Sequence, residues 1–264
     1  MSLDLPAYLA RVGLTGALAP DLATLQALHL AHTAAIPFEN LDIHRGLPIR
    51  LDLGSIQAKL VTDRRGGYCF EQNALLAAVL EQLGFRVTRL CGRVRLGRPA
   101  DAPVPPRTHM VLIVDLDEGP HLADVGFGGA TLLHPIPLVA DVVHEQFGWG
   151  YALRREGDAL VLRGRIPGWV DMYAFTLDPQ HPIDYEVANH YTSTHPTSHF
   201  VRSLTVQRAT PAVRHVLRDR TYEQLRPDSR TQRTVADDDE LRTLLADTFD
   251  IPLPPGTRLP AALS

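Results

Sequence analysis

The chain of 264 residues has little cysteine, few aromatic residues and no excess of positive charge. Its two cysteines, Cys69 and Cys91, are too few for a disulfide framework and lack the paired spacing of a zinc site. A formal net charge of -4 argues against nucleic acid as a partner, since a phosphate backbone requires a basic surplus. No apolar run approaches the length of a membrane span. The composition therefore predicts a globular protein with reduced cysteines and no membrane or nucleic-acid partner.

The first residues show no secretion signal. Asp4 precedes the first apolar residues, and the segment lacks both a basic leader and a cleavage pattern. We therefore expect a cytoplasmic location. The length suits one large domain or two to three small ones.

The stretch from Arg64 to Asn73 places one cysteine behind two glycines and in front of an apolar run with helical spacing. Cys69 is therefore expected in the first turn of a helix that ends near Gly84. There, free backbone N–H groups and the positive end of the helix dipole favour a thiolate. A buried cysteine that packs as a small hydrophobic residue is the commoner use of this residue type. The flanking glycines and the helix start favour a nucleophile here.

Helical signals dominate the first third of the chain. Helices are predicted to start at Asp4 and at Asp21, and Ser55 is predicted to cap a short helix through Leu60. Phe38 follows Pro37 in a connector, where it is expected either to line a pocket or to pack in the core under a loop. This part predicts a small helical bundle.

Alternating apolar residues from Phe85 onwards predict a mostly antiparallel sheet or barrel, with a proline-rich flap over 97–107. Further strands are predicted over 108–115, 121–125, 147–154, 160–163 and 169–177, with a hairpin turn at Gly157-Asp158. The last third predicts a lid from a short helix at 185–190, strands at 200–207 and 214–218 and a helix at 237–248.

His109 is the histidine, among twelve, that stands at the start of a strongly apolar strand, directly after the flap. Asp124 lies between Ala123 and Val125 on the following strand, and an aspartate in so apolar a setting needs a partner. It would orient an imidazolium or hold backbone N–H groups of the next turn. A tight hairpin places His109 opposite residues near Phe127, so the pair must meet diagonally or across a bulge.

Two further clusters are rich in residues that bind ligands. The glycines of 126–129 follow a strand and either direct backbone N–H groups at an anion or form a plain turn. His190, His195 and His199 lie near many hydroxyl groups, but their spacing fits no standard metal site, so no metal is expected.

The sequence resembles the arylamine N-acetyltransferase family. The resemblance rests on five motifs in the family's order: Ile36 to Asn40, Arg65 to Glu71, Thr108 to Met110, Ala123 to Gly129 and Asn189 to Phe200. It implies an α+β fold with a helical bundle (1–84), an antiparallel β-barrel (85–190) and an α/β lid (191–264). The final sixty or so residues carry no motif that matches the family.

The resemblance also implies site residues and partners. Cys69, His109 and Asp124 would form a papain-like triad, with acetyl-CoA as acyl donor and an arylamine or arylhydrazine as acceptor. Thr108, Gly126, Gly128 and Gly129 would contact the donor. Phe38, Val94, Phe127 and Phe200 would line the acceptor pocket. The protein would act as a monomer or homodimer.

Three other functions fit the same residues. A cysteine hydrolase or crosslinking enzyme would use the same triad with water or a lysine as acceptor, although the glycine-rich loop argues against it. An amide synthase would use the triad to close an amide within a larger substrate. A catalytically silent protein of this fold would bind the ligand without reaction.

Overall fold

The structure, a computed structural model, describes residues 2–99, 101–166, 168–253 and 257. Its N-terminal part is helical, and the helix starts follow the sequence signals. The side chain of Asp4 accepts a hydrogen bond from the Ala7 N–H at 3.0 Å, and that of Asp21 accepts one from Thr24 at 2.8 Å. The helices are α1 (Leu5–Val12), α2 (Leu22–Ala35), α3 (Leu41–His44), α4 (Leu53–Gln57), α5 (Cys69–Gln82), α6 (Pro182–Thr194), α7 (His199–Arg202) and α8 (Asp238–Phe249).

Eight strands form one antiparallel sheet, which curves into a nearly closed barrel. Its order is β5-β4-β3-β2-β9-β8-β7-β6. The strands are β2 (Arg86–Val94), β3 (His109–Leu116), β4 (Gly119–Ala123), β5 (Ile136–Pro137), β6 (Val143–Gln146), β7 (Trp149–Glu156), β8 (Ala159–Arg165) and β9 (Trp169–Phe175). The hairpin turn predicted at Gly157-Asp158 joins β7 to β8, which confirms that prediction.

A second antiparallel sheet of five strands has the order β1-β10-β11-β12-β13. Its strands are β1 (Phe38–Glu39), β10 (Thr205–Ala209), β11 (Arg214–Arg218), β12 (Thr221–Leu225) and β13 (Arg230–Thr234). One face packs on α8 through a core that includes Val206, Leu217, Leu245 and Phe249. Since β1 belongs to the N-terminal part of the chain, this sheet ties the C-terminal part to the segment before α5.

The α+β architecture of helical bundle, antiparallel barrel and C-terminal α/β unit is therefore confirmed. The domain boundaries at 84 and 190 stay a prediction, and α6 runs across the second of them. Residues 1, 100, 167, 254–256 and 258–264 of the predicted domains lie outside the described residues.

Some local predictions were wrong. Asp52, three residues before Ser55, caps α4 by accepting from the Ser55 N–H at 2.9 Å, and a π-helical turn (Ala58–Thr62) follows. The helix predicted at 185–190 extends over the whole of α6. Phe200 lies in the short helix α7 and not in a strand, because the chain turns there before it enters β10.

Candidate active site

Cys69 is the first residue of α5, as the sequence predicts. The Glu71 side chain accepts from the Tyr68 N–H at 3.0 Å and so satisfies a donor at the helix start. The cysteine side chain lies 3.5 Å from the carbonyl oxygen of Thr108, the residue before β3. Cys69 is 3% exposed. The helix start therefore holds the thiol against the start of β3.

A network of buried charges holds the turn that precedes Cys69. Arg65 donates to Glu39 at 2.6 Å and to Asp42 at 3.0 Å. Lys59 lies 2.8 Å from Asp42 and 2.8 Å from Glu71. Because each buried charge has a partner of opposite sign, removal of one would leave another uncompensated. The network joins β1, α3 and the π-helical turn to the N-terminus of α5.

His109 and Asp124 form a hydrogen bond of 2.8 Å between Nε2 and Oδ2, and both side chains are buried. The ladder between β3 and β4 ends with the pair Leu112 and Ala123. Continued by the same register, it would set His109 opposite Gly126, two residues beyond Asp124. The two side chains therefore meet diagonally past the end of the ladder, which resolves the register problem.

The environment of His109 fixes its orientation. Its ring centroid lies 5.1 Å from that of Phe127 and 4.7 Å from that of Tyr173. Since Nε2 faces Asp124, Nδ1 is the ring nitrogen left for another partner. Burial raises the pKa of Asp124, but the His109 contact and hydrogen bonds from Asn73 and the Gly126 N–H outweigh it and lower that pKa below its usual value. Asp124 is therefore a carboxylate at neutral pH.

The pKa of the Cys69 thiol is raised, chiefly by burial, although hydrogen bonds from the backbone of Met110 and Phe70 act in the opposite direction. Burial also raises the pKa of Cys91, to about 11. The helix start thus does not produce a thiolate by itself, because loss of water around the sulfur outweighs the backbone hydrogen bonds that it accepts. A thiolate at Cys69 needs a positive partner.

A cavity of about 1110 Å³ opens beside Cys69 and His109. The other residues predicted from the sequence that line it are Phe38, Val94, Thr108, Gly126, Phe127, Gly129 and Phe200. Asp124 and Gly128 are not part of the lining, and Asp124 lies behind His109 with no exposed surface. The structure thus brings the predicted site residues to one place.

At two positions of the loop after Asp124, Gly126 and Gly128, the structure favours glycine over other residues. A Cβ atom at Gly126 would lie 2.8 Å from Cys69 Cα and 2.7 Å from the Asn73 amide nitrogen. Gly128 has a φ of +80°, a conformation that favours glycine. The Gly126 N–H donates to Asp124 at 2.9 Å, and the Gly129 N–H donates to Gln207. Anion binding by this loop stays a prediction and would depend on its other N–H groups.

One face of the five-stranded sheet forms a wall of the same cavity. Gln207, Val216 and Glu223 are paired across β10, β11 and β12, and all three line it. Arg214 and Arg230 belong to a neighbouring row of pairs, joined through Leu225. This wall extends from β1, near Cys69, to the outer edge at β13.

Arginines outnumber acidic residues in the cavity lining. The acidic residues are Glu223 and Asp228, and the arginines are Arg98, Arg165, Arg214, Arg218, Arg226 and Arg230. This positive surface was not predicted from the sequence, although Arg214 and Arg218 are four residues apart on one strand and therefore share a face. In a chain with a net charge of -4, the cavity is suited to an anionic ligand.

Arg214 is the most buried of these arginines, with no exposed surface. Its guanidinium lies 4.2 Å from the centroid of the Trp149 ring and donates to the Thr131 carbonyl at 2.9 Å. It also donates to the Gly129 carbonyl. Among the described residues, no carboxylate lies within ion-pair distance of Arg214. Arg214 thus places an uncompensated positive charge directly behind the glycine loop.

Neither a metal-binding group nor a membrane-spanning helix is found among the described residues. Among residues 2–99, 101–166, 168–253 and 257, no three His, Cys, Asp or Glu side chains are grouped so that they could hold a metal ion. In the same part of the chain, every helix is too short or too polar to cross a membrane.

The fold agrees with solved structures of one class of enzymes. The structure of Mycobacterium marinum arylamine N-acetyltransferase in complex with CoA matches with a TM-score of 0.91 and 40% identity, over 94% of this chain and 93% of that one. The family model described as N-acetyltransferase matches residues 21–257. The chain therefore belongs to the N-acetyltransferase family.

Curated relatives support this assignment. The arylamine N-acetyltransferase of Mycolicibacterium smegmatis is 50% identical over 224 residues, which cover 83% of this chain and 82% of the relative. A more distant relative, the Proansamycin X synthase of Amycolatopsis mediterranei, is 30% identical over 251 residues, which cover 92% of this chain and 95% of that protein.

We predict that Gly126→Ala lowers the free energy of unfolding by about 1–3 kcal/mol, because the added methyl group overlaps the start of α5. Gly168→Ala is the matched control, since a Cβ atom there meets nothing within 4 Å; its effect should stay within about 0.5 kcal/mol. Urea denaturation of both variants measures the difference. Equal stability of the two variants would show that the close approach of the loop to Cys69 is wrong.

Proposed function

We propose that the protein transfers the acetyl group of acetyl-CoA to the nitrogen of an arylamine, arylhydroxylamine or arylhydrazine, through an acetyl-cysteine intermediate. The observation that carries the proposal is that Cys69 and His109 line one cavity, while Asp124 forms a hydrogen bond with Nε2 of His109. Membership of the N-acetyltransferase family supports the donor and the reaction type.

In the first half-reaction, Cys69 is the nucleophile and His109 is its partner. Transfer of the thiol proton to His109 gives a thiolate and an imidazolium, which Asp124 stabilises through Nε2. The thiolate forms a bond to the thioester carbonyl carbon, and backbone N–H groups near the start of α5 stabilise the oxyanion. The carbon–sulfur bond to CoA then breaks. His109 returns its proton to the departing thiolate of CoA, and an acetyl group remains on Cys69.

In the second half-reaction, the amine attacks the carbonyl carbon of acetyl-Cys69. His109 accepts a proton from the amine nitrogen and so acts as general base. The bond between the carbonyl carbon and Cys69 Sγ breaks, and the sulfur leaves as a thiolate beside the imidazolium. The resting ion pair is restored, and the product is the N-acetylated amine.

The cavity lining supports a division between acceptor and donor. The rings of Phe38 and Phe200 lie 5.8 Å apart next to Cys69, and Phe127 packs on His109. With Val94, they would form flat apolar walls for an aromatic acceptor. Thr108 and the glycine loop would contact the donor near its thioester.

The arginines of the cavity lining would bind the phosphate groups of the donor. Arg165 and Arg230 are already paired, with Glu145 at 2.8 Å and with Glu223 at 2.6 Å. Arg218 and Arg226 lack a carboxylate within ion-pair distance among the described residues, so their charges are available to a ligand. Guanidinium groups bind phosphate through paired hydrogen bonds.

An amide synthase is the second candidate function, since one relative at 30% identity is named as a synthase and not as an acetyltransferase. In such an enzyme Cys69 would take its acyl group from a larger substrate, and the amine would belong to the same molecule. The positive cavity lining favours the phosphate-bearing donor.

For location and assembly, we propose a cytoplasmic monomer or homodimer. Both cysteines are free thiols, as a reducing compartment would keep them.

We predict ping-pong kinetics: initial rates give parallel double-reciprocal lines when acetyl-CoA and an arylamine are varied together. Without amine, consumption of acetyl-CoA should stop after one turnover. Continuous consumption in water would identify a hydrolase, and intersecting lines would indicate direct transfer in a ternary complex. Absence of any transfer from acetyl-CoA to arylamines would favour the synthase or a silent binding protein.

We also predict that Arg218→Ala and Arg226→Ala each raise the KM for acetyl-CoA roughly tenfold and leave kcat nearly unchanged, because a charge-assisted hydrogen bond to phosphate is lost. A small acetyl thioester without a nucleotide should react equally with parent and variants. Arg86→Ala, which removes an exposed arginine outside the cavity, is the control. Unchanged KM values in both cavity variants would remove these arginines from the donor site.

A further inference from the structure

Asp124 lies just beyond the end of β4, where the hydrogen bonds of the barrel no longer hold the main chain. The ladder with β3 ends at Ala123, so the main chain of Asp124 lies outside the sheet. Its N–H donates instead to Nε2 of His29 at 3.1 Å, and its carbonyl accepts from the Thr131 hydroxyl at 2.6 Å. Asp124 has no exposed surface. A buried main chain that has left its sheet needs these partners, since unpaired N–H groups are costly in the interior.

His29 supplies this contact from the middle of α2, in one defined tautomer. A backbone N–H can only donate, so Nε2 of His29 must be the unprotonated acceptor. Nδ1 therefore carries the proton and donates to the Leu133 carbonyl at 3.1 Å. Burial lowers the pKa of His29 to about 3, which keeps the ring neutral at neutral pH. One buried imidazole thus ties both ends of the segment 124–133 to α2.

The side chain of Asp124 is held separately. Asn73 of α5 donates to Oδ1 at 2.9 Å and accepts from the Val125 N–H at 3.1 Å. The Gly126 N–H also donates to Oδ1. These contacts leave Oδ2 for His109 and orient the carboxylate about its own bonds. The N–H and the carbonyl of Asp124 itself, which set the point from which the carboxylate extends, are held by His29 and Thr131.

We propose that His29 is a positioning residue for the acyl transfer: it accepts the N–H of Asp124 and so sets the carboxylate at hydrogen-bonding distance from His109. The proposal rests on the proposed function of Cys69, His109 and Asp124. Without the acceptor, the N–H of Asp124 is left unpaired and the segment shifts to find another partner. The bond to His109 lengthens, the imidazolium loses stabilisation, and the thiolate of Cys69 forms only at higher pH.

The chain offers a matched control on the same helix. His32 follows His29 by three residues and is equally buried. It makes two hydrogen bonds of its own, to the Tyr8 hydroxyl at 2.9 Å and to Gln72 at 2.6 Å, and none to the Asp124 segment. His29→Leu and His32→Leu therefore remove the same buried group from one helix, but the first takes a partner from Asp124 and the second takes partners from Tyr8 and Gln72.

The test measures the rate of Cys69 alkylation by iodoacetamide against pH, with peptide mapping to separate Cys69 from Cys91. Both leucine variants should lower the midpoint of urea denaturation. His29→Leu alone should move the alkylation midpoint up towards the ordinary thiol range and lower kcat roughly 10- to 100-fold. A parent-like alkylation midpoint in His29→Leu, or equal shifts in the two variants, would overturn the proposal.

Two further variants decide the matter if His29→Leu does not fold. The amide of Gln reaches about as far along the side chain as Nε2 of His29, whereas the amide of Asn reaches only the level of Nδ1. His29→Gln should therefore keep a midpoint near that of the parent, and His29→Asn should show the raised midpoint. Equal midpoints in the Gln and Asn variants would contradict the positioning role. Failure of the proposed function would be seen separately, as parent enzyme that transfers no acetyl group although its alkylation profile is intact.

Discussion

The buried hydrogen bond between His109 and Asp124 is the interaction on which the site depends. Cys69 is almost fully buried, and burial disfavours its thiolate, so a helix start alone does not activate it. A stable charge on the sulfur needs an imidazolium beside it, and an imidazolium in the same dry environment needs a carboxylate. Asp124 can supply that charge because hydrogen bonds to His109, Asn73 and the Gly126 N–H hold its pKa low.

The fold brings these groups together from separate parts of the chain. Helix α5 delivers Cys69, strand β3 delivers His109, and the segment after β4 delivers Asp124 once it has left its sheet. The close approach of Gly126 to the start of α5 makes this convergence possible. The second sheet then closes the cavity with a face that carries arginines, which adds a positive surface to a pocket that aromatic rings also line.

Local signals were enough for much of this arrangement. The glycines before Cys69 and the apolar run after it predicted α5, and the strand predicted at 214–218 is β11 at its observed bounds. Strands β12 and β13 escaped detection because their polar sequences lack an apolar face, and every residue of β13 is exposed. The contact of His29 with Asp124 joins residues 95 positions apart, so no local pattern could reveal it. The charged wall was only partly visible in the sequence: Arg214 and Arg218 share a face of β11, but the other arginines of the cavity lie on different strands and loops.

The central claim is that Cys69 carries the acetyl group between donor and acceptor. Intact mass spectrometry after mixing the protein with acetyl-CoA alone tests it most directly. The account predicts a gain of one acetyl group per chain, located on Cys69 by peptide mapping, with release of one equivalent of CoA, and no gain in Cys69→Ser. An enzyme that acetylates arylamines but shows no mass gain with acetyl-CoA alone would contradict the account.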